Sequence, residues 1–341
     1  MAEKRSFRVT SFDVAEAAGV SQSTVSRALA GDTSISEPTR ARVREAAEKL
    51  NYQADENAAR LRRGKTGTLA VVMICRPGED RKDLNPFYFS LLGSTCAAAA
   101  ARGYEVLVSF QDSAENFMGH YQERRKADGL IVIGTSENTA AWDYFDALPP
   151  GSHWACWGAP SDAFPWVRSD NVAGAALATR HLLGCGYRAV VCVGSETSPQ
   201  RQFKERYDGY AAKMREMGHE PVLQPIERGL PREEQGRRAA AALADSGRPF
   251  DAIFAVSDEI ALGALKELER RGTRVPGDVG VVGFDGVRAG GWSSPPLSTI
   301  EPDFEVAGNL LVERLIAAMG GEVADPRRVP VRLVVRGSTR G

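Results

Sequence analysis

The fold of the amino-terminal part is decided by residues 10–29, which read TSFDVAEAAGVSQSTVSRAL. The threonine that opens this stretch and the aspartate three residues later have the spacing of a capping box, which satisfies backbone N–H groups at a helix start. Three apolar residues then share one helical face: Val14, Ala15 and Ala18. Gly19 allows a tight turn, and Ser21 can cap a second helix that runs through Leu29. The stretch predicts two short helices joined by a glycine-containing turn.

A third helix is predicted to begin at Ser36-Glu37-Pro38, because proline is tolerated in the first helical turn, where its missing N–H costs nothing. Its buried stripe consists of Val43, Ala47 and Leu50. Three capped helices within about 40 residues, the first two joined by a tight turn, form the outline of a helix-turn-helix. We place this DNA-binding domain at residues 1–52.

The predicted second helix carries side chains suited to recognising DNA. Gln22, Ser23 and Arg27 occupy positions that can point outward together. Glutamine can form paired hydrogen bonds with adenine, and arginine with guanine, while hydroxyl groups suit the phosphate backbone. We assign DNA binding to these three residues and to the hydroxyl-bearing Thr10, Ser21, Thr24, Ser26 and Ser36. The alternative, a small helical bundle with a merely polar surface, does not explain why caps, turn, hydroxyl cluster and basic charge coincide.

Charge is divided unevenly along the chain. The 341 residues contain 43 Lys+Arg and 44 Asp+Glu, and the resulting net charge of -1 argues against a protein that is basic over its whole surface. The first 65 residues contain 12 basic and 9 acidic side chains, whereas the remaining 276 contain 31 and 35. A head of charge +3 on a body of charge -4 has the sign expected for a nucleic-acid-binding module joined to an acidic domain.

The sequence pattern changes near residue 65. Residues 53–66 form a polar joint, predicted to be a hinge or linker, and beyond them apolar runs alternate with alanine-rich helical stretches. The strand-like runs are 69–75, 104–110, 129–133, 189–193, 252–256 and 279–284, and the helical stretches are 89–102, 172–183, 201–217, 233–244 and 258–271. This alternation indicates βαβ units with parallel sheets, and about ten such units are too many for one compact sheet. The predicted fold class is α/β, with an all-α helix-turn-helix head and a two-lobed body at residues 67–341.

Motifs for catalysis, cofactors or metals are weak or missing. Gly64-Lys65-Thr66 resembles the end of a phosphate-binding loop, but Ala59 stands where that motif needs glycine and a strand follows where it needs a helix. The sequence has no Gly-x-Ser-x-Gly and no Cys-x-x-Cys, and its four histidines have no second ligand at metal-binding spacing: His120, His153, His181 and His219. We therefore predict no enzymatic activity, no cofactor and no metal.

The predicted location is the bacterial cytoplasm, in association with the nucleoid. No stretch approaches the roughly 18–20 uninterrupted apolar residues of a membrane span, and the start lacks the apolar region of a secretory signal. The odd number of cysteines, set in apolar runs, is typical of reduced thiols: Cys75, Cys96, Cys156, Cys185 and Cys192.

Several separated motifs, in this order and spacing, make the chain recognisable. They lie at residues 12–29 and 36–52, 57–61, 85–87, 169–187, 205–210, 257–285 and 296–300. Over nearly its whole length the chain resembles the LacI/GalR (lactose/galactose repressor) family of bacterial transcription regulators. The resemblance implies a ligand-responsive, sequence-specific DNA-binding regulator that binds a pseudo-palindromic operator. Because most members of the family are repressors, the resemblance implies a repressor of carbohydrate-utilisation genes.

The resemblance also implies a role for the joint. In the family this hinge becomes helical only on operator DNA, and a leucine from each subunit wedges into the central minor groove. Leu61 matches that leucine, and Ala58 matches the residue that packs against its dimer mate. A segment that orders only on binding can be switched by a distant ligand. Two departures, Ala54 in place of a frequent proline and Ala30 in place of the usual asparagine, predict weaker hinge affinity.

The body resembles periplasmic sugar-binding proteins, in which two lobes close on a small ligand. Arg206 matches the family's main ligand-contacting arginine, and Asp285 matches the aspartate opposite it. Asn85, Phe87 and Ser257 match other ligand-facing positions. Independently of the resemblance, Trp157 and Trp292 are predicted to lie on strand-end segments next to the expected cleft, although packing in the core is an equal alternative. The predicted effector-binding residues are Asn85, Phe87, Trp157, Arg206, Ser257, Asp285 and Trp292.

The effector and the oligomeric state are predicted from features in which this sequence differs from other members of the family. Residues 228–231 lack the aromatic side chain with which purine-responsive members stack a base, which favours a sugar over a nucleobase. The chain stops soon after its last strand without a leucine-heptad tail, so we expect a homodimer. Two other classes share parts of this pattern: a solute-binding protein shares the body but not the head, and a cytosolic α/β enzyme acting on a sugar shares only the cleft.

Overall fold

The computed structural model describes residues 9–52, 64–78, 80, 84–322 and 325–340. The chain divides into two compact units, Met1–Gly67 and Thr68–Gly341, each of which is described by itself. Within the described ranges, no helix is long and apolar enough to cross a membrane.

Residues 9–52 of the first unit form a bundle of three helices: α1 (Ser11–Ala18), α2 (Gln22–Leu29) and α3 (Glu37–Lys49). The backbone N–H and the hydroxyl of Thr10 each donate to the Asp13 carboxylate at 2.7 Å, which fixes the start of α1. Gly19 ends that helix with a φ of 65°, a conformation that glycine adopts without strain. One valine from each helix is fully buried in the shared core: Val14, Val25 and Val43. The three predicted helices and the turn are therefore present.

The second unit contains two six-stranded sheets. In the first, which we call the N-lobe sheet, the strand order is β11-β5-β4-β3-β1-β2 and all neighbours pair in parallel. Its strands are β1 (Thr68–Ile74), β2 (Glu105–Gln111), β3 (Gly129–Gly134), β4 (Trp154–Trp157), β5 (Trp166–Ser169) and β11 (Arg327–Val329). The long buried strands β1 and β3 match the apolar runs of the sequence.

In the second sheet, which we call the C-lobe sheet, the order is β12-β10-β9-β8-β6-β7. Only the β10–β12 pair is antiparallel. Its strands are β6 (Val190–Gly194), β7 (Val222–Pro225), β8 (Ala252–Ala255), β9 (Gly280–Phe284), β10 (Ser298–Pro302) and β12 (Val331–Val334). Parallel sheets of this kind require helices on both faces, because each crossover returns over the sheet.

In the described part of this unit, seven helices cover the two sheets: α4 (Pro86–Ala101), α5 (Thr139–Asp146), α6 (Asn171–Gly184), α7 (Arg201–Glu216), α8 (Arg232–Asp245), α9 (Asp258–Arg270) and α10 (Phe304–Met319). In the N-lobe α4 packs against α10, and in the C-lobe α6 packs against α7 and α8 against α9. The last pair is especially close, because a Cβ added to Gly236 or Gly263 would lie 1.9 Å from a backbone oxygen of the partner helix. These two glycines set the distance between α8 and α9.

The chain passes between the lobes three times. It leaves the N-lobe after β5, returns between β10 and α10, and leaves again between β11 and β12. Backbone hydrogen bonds join the crossing segments, from Asp170 N–H to Val329 O at 2.9 Å and from Asp303 N–H to Pro330 O at 3.0 Å. The three connections therefore run side by side. The α/β fold with an all-α head and a two-lobed body, as predicted, is confirmed.

Candidate nucleic-acid interface and ligand cleft

Helix α2 presents one buried and one exposed face. The Ser21 hydroxyl accepts the Thr24 N–H at 3.2 Å and caps the helix. Val25 and Ala28 are buried in the head core. On the opposite face Ser23 and Arg27 are exposed and four residues apart, so their side chains are neighbours on the helix surface. This face has the small polar and cationic groups that a DNA-contacting helix needs.

Gln22 and Arg27 each have a partner inside the head. The Gln22 amide donates to Ser11 Oγ on α1 at 3.0 Å, so this half-buried side chain is turned towards the first helix. Arg27 Nε donates to Asp32 Oδ2 at 2.9 Å, and its Nη2 donates to Ser34 Oγ. Of the three residues predicted to contact bases, two thus share the exposed face and Gln22 lies beside it.

The other predicted DNA-binding residues are distributed over the head. Thr10 and Ser36 are exposed at the starts of α1 and α3, and Ser36 Oγ lies 2.9 Å from Thr39 Oγ1. The hydroxyls of Ser21, Ser23 and Thr24 form one cluster, with Oγ distances of 2.8 and 2.9 Å from Ser21. Ser26 is half-buried on α2. The two hinge residues, Ala58 and Leu61, lie outside the described residues.

A polar cleft opens between the lobes of the body, at the carboxyl ends of the parallel strands, where α/β folds bind ligands. Strand β1 ends there at Ile74, β4 at Trp157, and Asp285 directly follows β9. The cleft is lined by Ile74, Arg76, Leu84, Asn85, Phe87, Tyr88, Thr135, Trp157, Gln200, Gln202, Phe203, Arg206, Arg232, Ser257, Glu259 and Asp285. Its free volume is about 50 Å³. Since small-molecule sites usually exceed about 300 Å³, a ligand must separate the lobes or move side chains to enter.

Arg206, in the middle of the cleft, is held on all sides. Its Nε donates to Asn171 Oδ1 at 2.9 Å, its Nη1 donates to Val256 O at 2.6 Å, and its Nη2 lies 2.9 Å from Asp285 Oδ1. The guanidinium carbon lies 3.7 Å from the centre of the Phe284 ring. With 5% of its surface exposed, Arg206 is a preorganised donor whose orientation is set by the C-lobe.

The aromatic wall of the cleft comes from the N-lobe. Asn85 Oδ1 accepts the Phe87 N–H at 2.8 Å and caps α4, so the loop after β1 delivers Phe87 to the cleft. The Phe87 ring lies 5.7 Å from the Trp157 ring, centre to centre. Opposite, Ser257 caps α9. Six of the seven residues predicted to bind the effector therefore line one cleft: Asn85, Phe87, Trp157, Arg206, Ser257 and Asp285.

Trp292 is the exception, and its predicted position beside the cleft is corrected. It ends a short 3-10 helix, Arg288–Trp292, and 89% of its surface is exposed. Leu297 N–H donates to Gly290 O at 2.7 Å, so the segment folds back on its own continuation instead of entering the cleft. The ring is left on the outer surface of the C-lobe.

Several cleft residues were missed from the sequence, and two of them bridge the lobes. Arg232 Nη2 in the C-lobe donates to Glu137 Oε1 in the N-lobe at 2.7 Å. Gln200 Nε2 donates to Thr135 Oγ1 at 3.1 Å. The partners are separated by 95 and 65 positions. The one feature of the sequence that could have pointed to Arg232 is its position directly after residues 228–231, the loop already considered as part of the ligand site.

Burial changes the acidity of the carboxyl groups around Arg206. Burial raises the pKa of Asp285, against the lowering effect of Arg206. Burial and the nearby Asp285 raise the pKa of Asp258, which accepts from Thr299 Oγ1 and Val287 N–H at 2.6 and 2.7 Å. Burial, followed by repulsion from Asp285, raises the pKa of Glu259 to about 7. The charge of the cleft therefore changes near neutral pH.

Replacing Glu259 with glutamine should make the protein more stable at neutral pH and leave it unchanged in acid. The folded protein keeps the Glu259 proton up to a pKa of about 7, whereas the unfolded chain releases it near 4.5. The contribution of Glu259 to the free energy of unfolding therefore falls as pH rises between these values, by about 3 kcal/mol. Urea unfolding of both proteins at pH 4.5 and pH 8 measures this. An equal difference between them at both pH values would contradict the assignment.

The head and the cleft together define a class of protein, a DNA-binding regulator controlled by a small ligand. Residues 12–55 match the family described as bacterial regulatory proteins, lacI family, and residues 179–339 match the periplasmic binding protein-like domain. The HTH-type transcriptional repressor CytR of Escherichia coli strain K12 is 31% identical over 99% of this chain and 98% of its own length. The chain belongs to the lacI family, and it is a ligand-responsive transcriptional repressor. Its relatives are repressors, which are not enzymes.

Two solved structures show the same architecture. The transcriptional regulator CelR–cellobiose complex is 26% identical, with a TM-score of 0.67, and the match covers 97% of this chain and 100% of that one. The lac repressor dimer bound to operator and the anti-inducer ONPF is 24% identical, with a TM-score of 0.74 and coverage of 98% and 99%. The second likeness establishes the shared fold.

Proposed function

We propose that this repressor is a cytoplasmic, nucleoid-associated homodimer without enzymatic activity, which binds a pseudo-palindromic operator and releases or retains it in response to a sugar. The observation that carries the proposal is that Arg206, held by hydrogen bonds and an ion pair, lines the same cleft as the aromatic rings of Phe87 and Trp157. A guanidinium and a carboxylate, Asp285, in fixed orientation can hydrogen-bond to adjacent hydroxyls, while Phe87 and Trp157 offer apolar faces to a sugar ring. The CelR–cellobiose complex supports this choice of ligand.

A thermal-shift screen of the purified full chain against mono- and disaccharides and nucleobases tests the effector class. A ligand at about 100 times its Kd adds about 2.7 kcal/mol to the free energy of unfolding. We expect a sugar to give the largest shift. A shift with nucleobases alone would replace the sugar by the second candidate, a nucleobase effector.

The proposed dimer uses the exposed apolar side of the N-lobe. Strand β2 is an edge strand, and its Leu107 and Val108 are 40% and 37% exposed. Phe89 on α4 is 44% exposed and lies beside Phe110 of β2. Unpaired edges and apolar patches favour association, and a two-fold dimer matches the symmetry of a palindromic operator. Sedimentation of the full chain reports the dimer.

The proposed mechanism connects the two units through residues 53–66. Effector binding changes the angle between the lobes at the three crossings, and this decides whether the two hinges can order together on DNA, with Leu61 wedged at the operator centre and Ala58 packed on its mate. Coupling between two such sites is typically about 1–3 kcal/mol and is reciprocal, so operator DNA changes effector affinity by the same factor.

Arg27→Ala should relax the preference for one base pair of the operator. Arg27 is exposed beside Ser23 on α2, and an arginine–guanine pair contributes about 1–3 kcal/mol of discrimination. Gel-shift titrations against an operator selected from random-sequence duplexes, and against its single-base variants, measure the change. A loss of affinity that is uniform over all sequences would instead identify Arg27 as a phosphate contact.

A further inference from the structure

The loop between α2 and α3 carries a carboxylate that is fixed before DNA is present. Asp32 Oδ1 accepts the Ser34 N–H at 2.9 Å and the Ser34 hydroxyl at 2.6 Å. The Asp32 backbone is fixed as well, since its N–H donates to Arg27 O at 3.0 Å and its carbonyl accepts from Arg40 Nη1 at 3.1 Å. Hydrogen bonds from Ser34, followed by one from Arg27, lower the pKa of Asp32, so it is ionised at neutral pH.

This carboxylate occupies one edge of the Arg27 guanidinium. Nε donates to Asp32 Oδ2 at 2.9 Å, and Nη2, on the same edge, donates to Ser34 Oγ. Among the described residues, Nη1 has no hydrogen-bond partner. A guanidinium carries five N–H donors in a planar fork, so the outer edge, formed by Nη1 and the second N–H of Nη2, stays available. That edge can donate two parallel hydrogen bonds to O6 and N7 of guanine.

We propose that Asp32 is a positioning residue that aims Arg27 at a guanine in the major groove. The inference rests on the proposed base contact of Arg27 and adds the reason why a long, 53% exposed side chain would be selective. An unrestrained arginine side chain adopts many rotamers and bonds equally well to phosphates. An arginine held along the edge formed by Nε and Nη2 presents its guanidinium to the DNA in one orientation. The Asp32 charge, placed near the DNA, also disfavours binding through phosphates alone. Both effects raise the ratio of specific to non-specific affinity.

A graded series separates positioning from charge. Asp32→Ala removes both the charge and the acceptor, whereas Asp32→Asn removes the charge and keeps an acceptor for Arg27 Nε. Discrimination is measured as the ratio of Kd values for two duplexes, one substituted at the guanine pair and one unchanged. That pair is the position at which Arg27→Ala abolishes the preference. We expect Asp32→Ala to reduce discrimination about tenfold and Asp32→Asn to reduce it by less. Both should bind non-operator duplex more tightly than the wild type.

Controls use the same full-length protein and the same duplexes. Glu45→Gln removes an exposed carboxylate that pairs with Lys49 at 2.7 Å on α3 and should leave discrimination unchanged. Thermal unfolding shows whether each variant is folded. If Asp32→Ala does not fold, Ser34→Ala takes its place. This substitution removes the hydroxyl between Asp32 and Arg27 Nη2, and by itself it should lower the discrimination between the two duplexes.

The outcomes distinguish this inference from the proposed function. If Arg27→Ala identifies a guanine and the folded Asp32 variants retain full discrimination there, the positioning role is refuted and the base contact stands. Equal losses in Asp32→Asn and Asp32→Ala would also refute it, because charge alone would then explain them. If Arg27→Ala weakens all duplexes uniformly, the base contact itself is wrong and the inference falls with it.

Discussion

Arg206→Ala is expected to abolish the response to the effector while operator binding persists. Arg206 is the central hydrogen-bond donor of the cleft. Because hydrogen bonds from charged groups contribute about 1.5–3 kcal/mol each, the loss of two such bonds to the ligand weakens its binding a hundredfold or more. Its contacts, to Asn171, Val256, Phe284 and Asp285, lie in the body. Thermal shift with the sugar that stabilises the wild type, and gel shift with the selected operator, measure the two activities.

The matched control is Arg215→Ala, an exposed arginine on the same helix α7, which should change neither activity. The Arg206 variant leaves the Asp285 carboxyl without its ion-pair partner, but the raised pKa of this group allows it to take up a proton. Loss of operator binding in a folded Arg206→Ala protein would show that Arg206 does not act through the ligand cleft.

Arg168→Met is expected to lower the free energy of unfolding by about 3 kcal/mol, since removing one member of a buried ion pair costs about 3–5 kcal/mol. Arg168, on β5, is fully buried and its Nη1 donates to Glu205 Oε1 of the C-lobe at 3.1 Å. Its guanidinium also donates to three carbonyls that follow β4: Gly158, Ala159 and Ser161. Urea unfolding of the full chain, read from the midpoint and slope, measures the change.

Arg332→Met provides the comparison, because Arg332 also pairs with a glutamate, Glu301, but is 76% exposed. Exposed pairs contribute about 0–1 kcal/mol, so this variant should stay near the wild type. If Arg168→Met lowered the free energy of unfolding as little as Arg332→Met, the ion pairs of Glu205 with Arg201 and Arg328, both at 3.5 Å, would be sufficient to stabilise the buried Glu205 carboxylate.

The elements that could be predicted from the sequence are those whose causes are local. The capping pattern of α1, the glycine after it and the hydroxyl before α2 lie within a few residues of the helices they define. Long buried runs such as β1 and β3 were likewise predictable. Several short strands were missed, among them Trp154–Trp157 and Trp166–Ser169, because such short runs lack a distinctive pattern and depend on their neighbours in the sheet.

The site was predictable only where a motif carried it. Arg206 and Asp285 were assigned by resemblance, and the structure brings them within 2.9 Å. The Arg232–Glu137 bridge joins residues 95 positions apart, and no local pattern encodes such a pairing. Trp292 was misplaced for a related reason. Its position after a strand says that it lies near a sheet edge, but the direction of its ring depends on how the segment folds back at Gly290.

The side-by-side crossings have a mechanical consequence. Because the connections lie together, a rotation of one lobe against the other would turn about an axis close to them, and Asn171, which holds Arg206, directly follows one of them. Strand β1 extends from the cleft at Ile74 to Thr68, a span of about 20 Å at the rise of a β-strand. Thr68 is also where the linker from the head arrives. A rotation about such an axis would therefore move Thr68, where the linker joins the body, through a larger distance than Ile74 in the cleft.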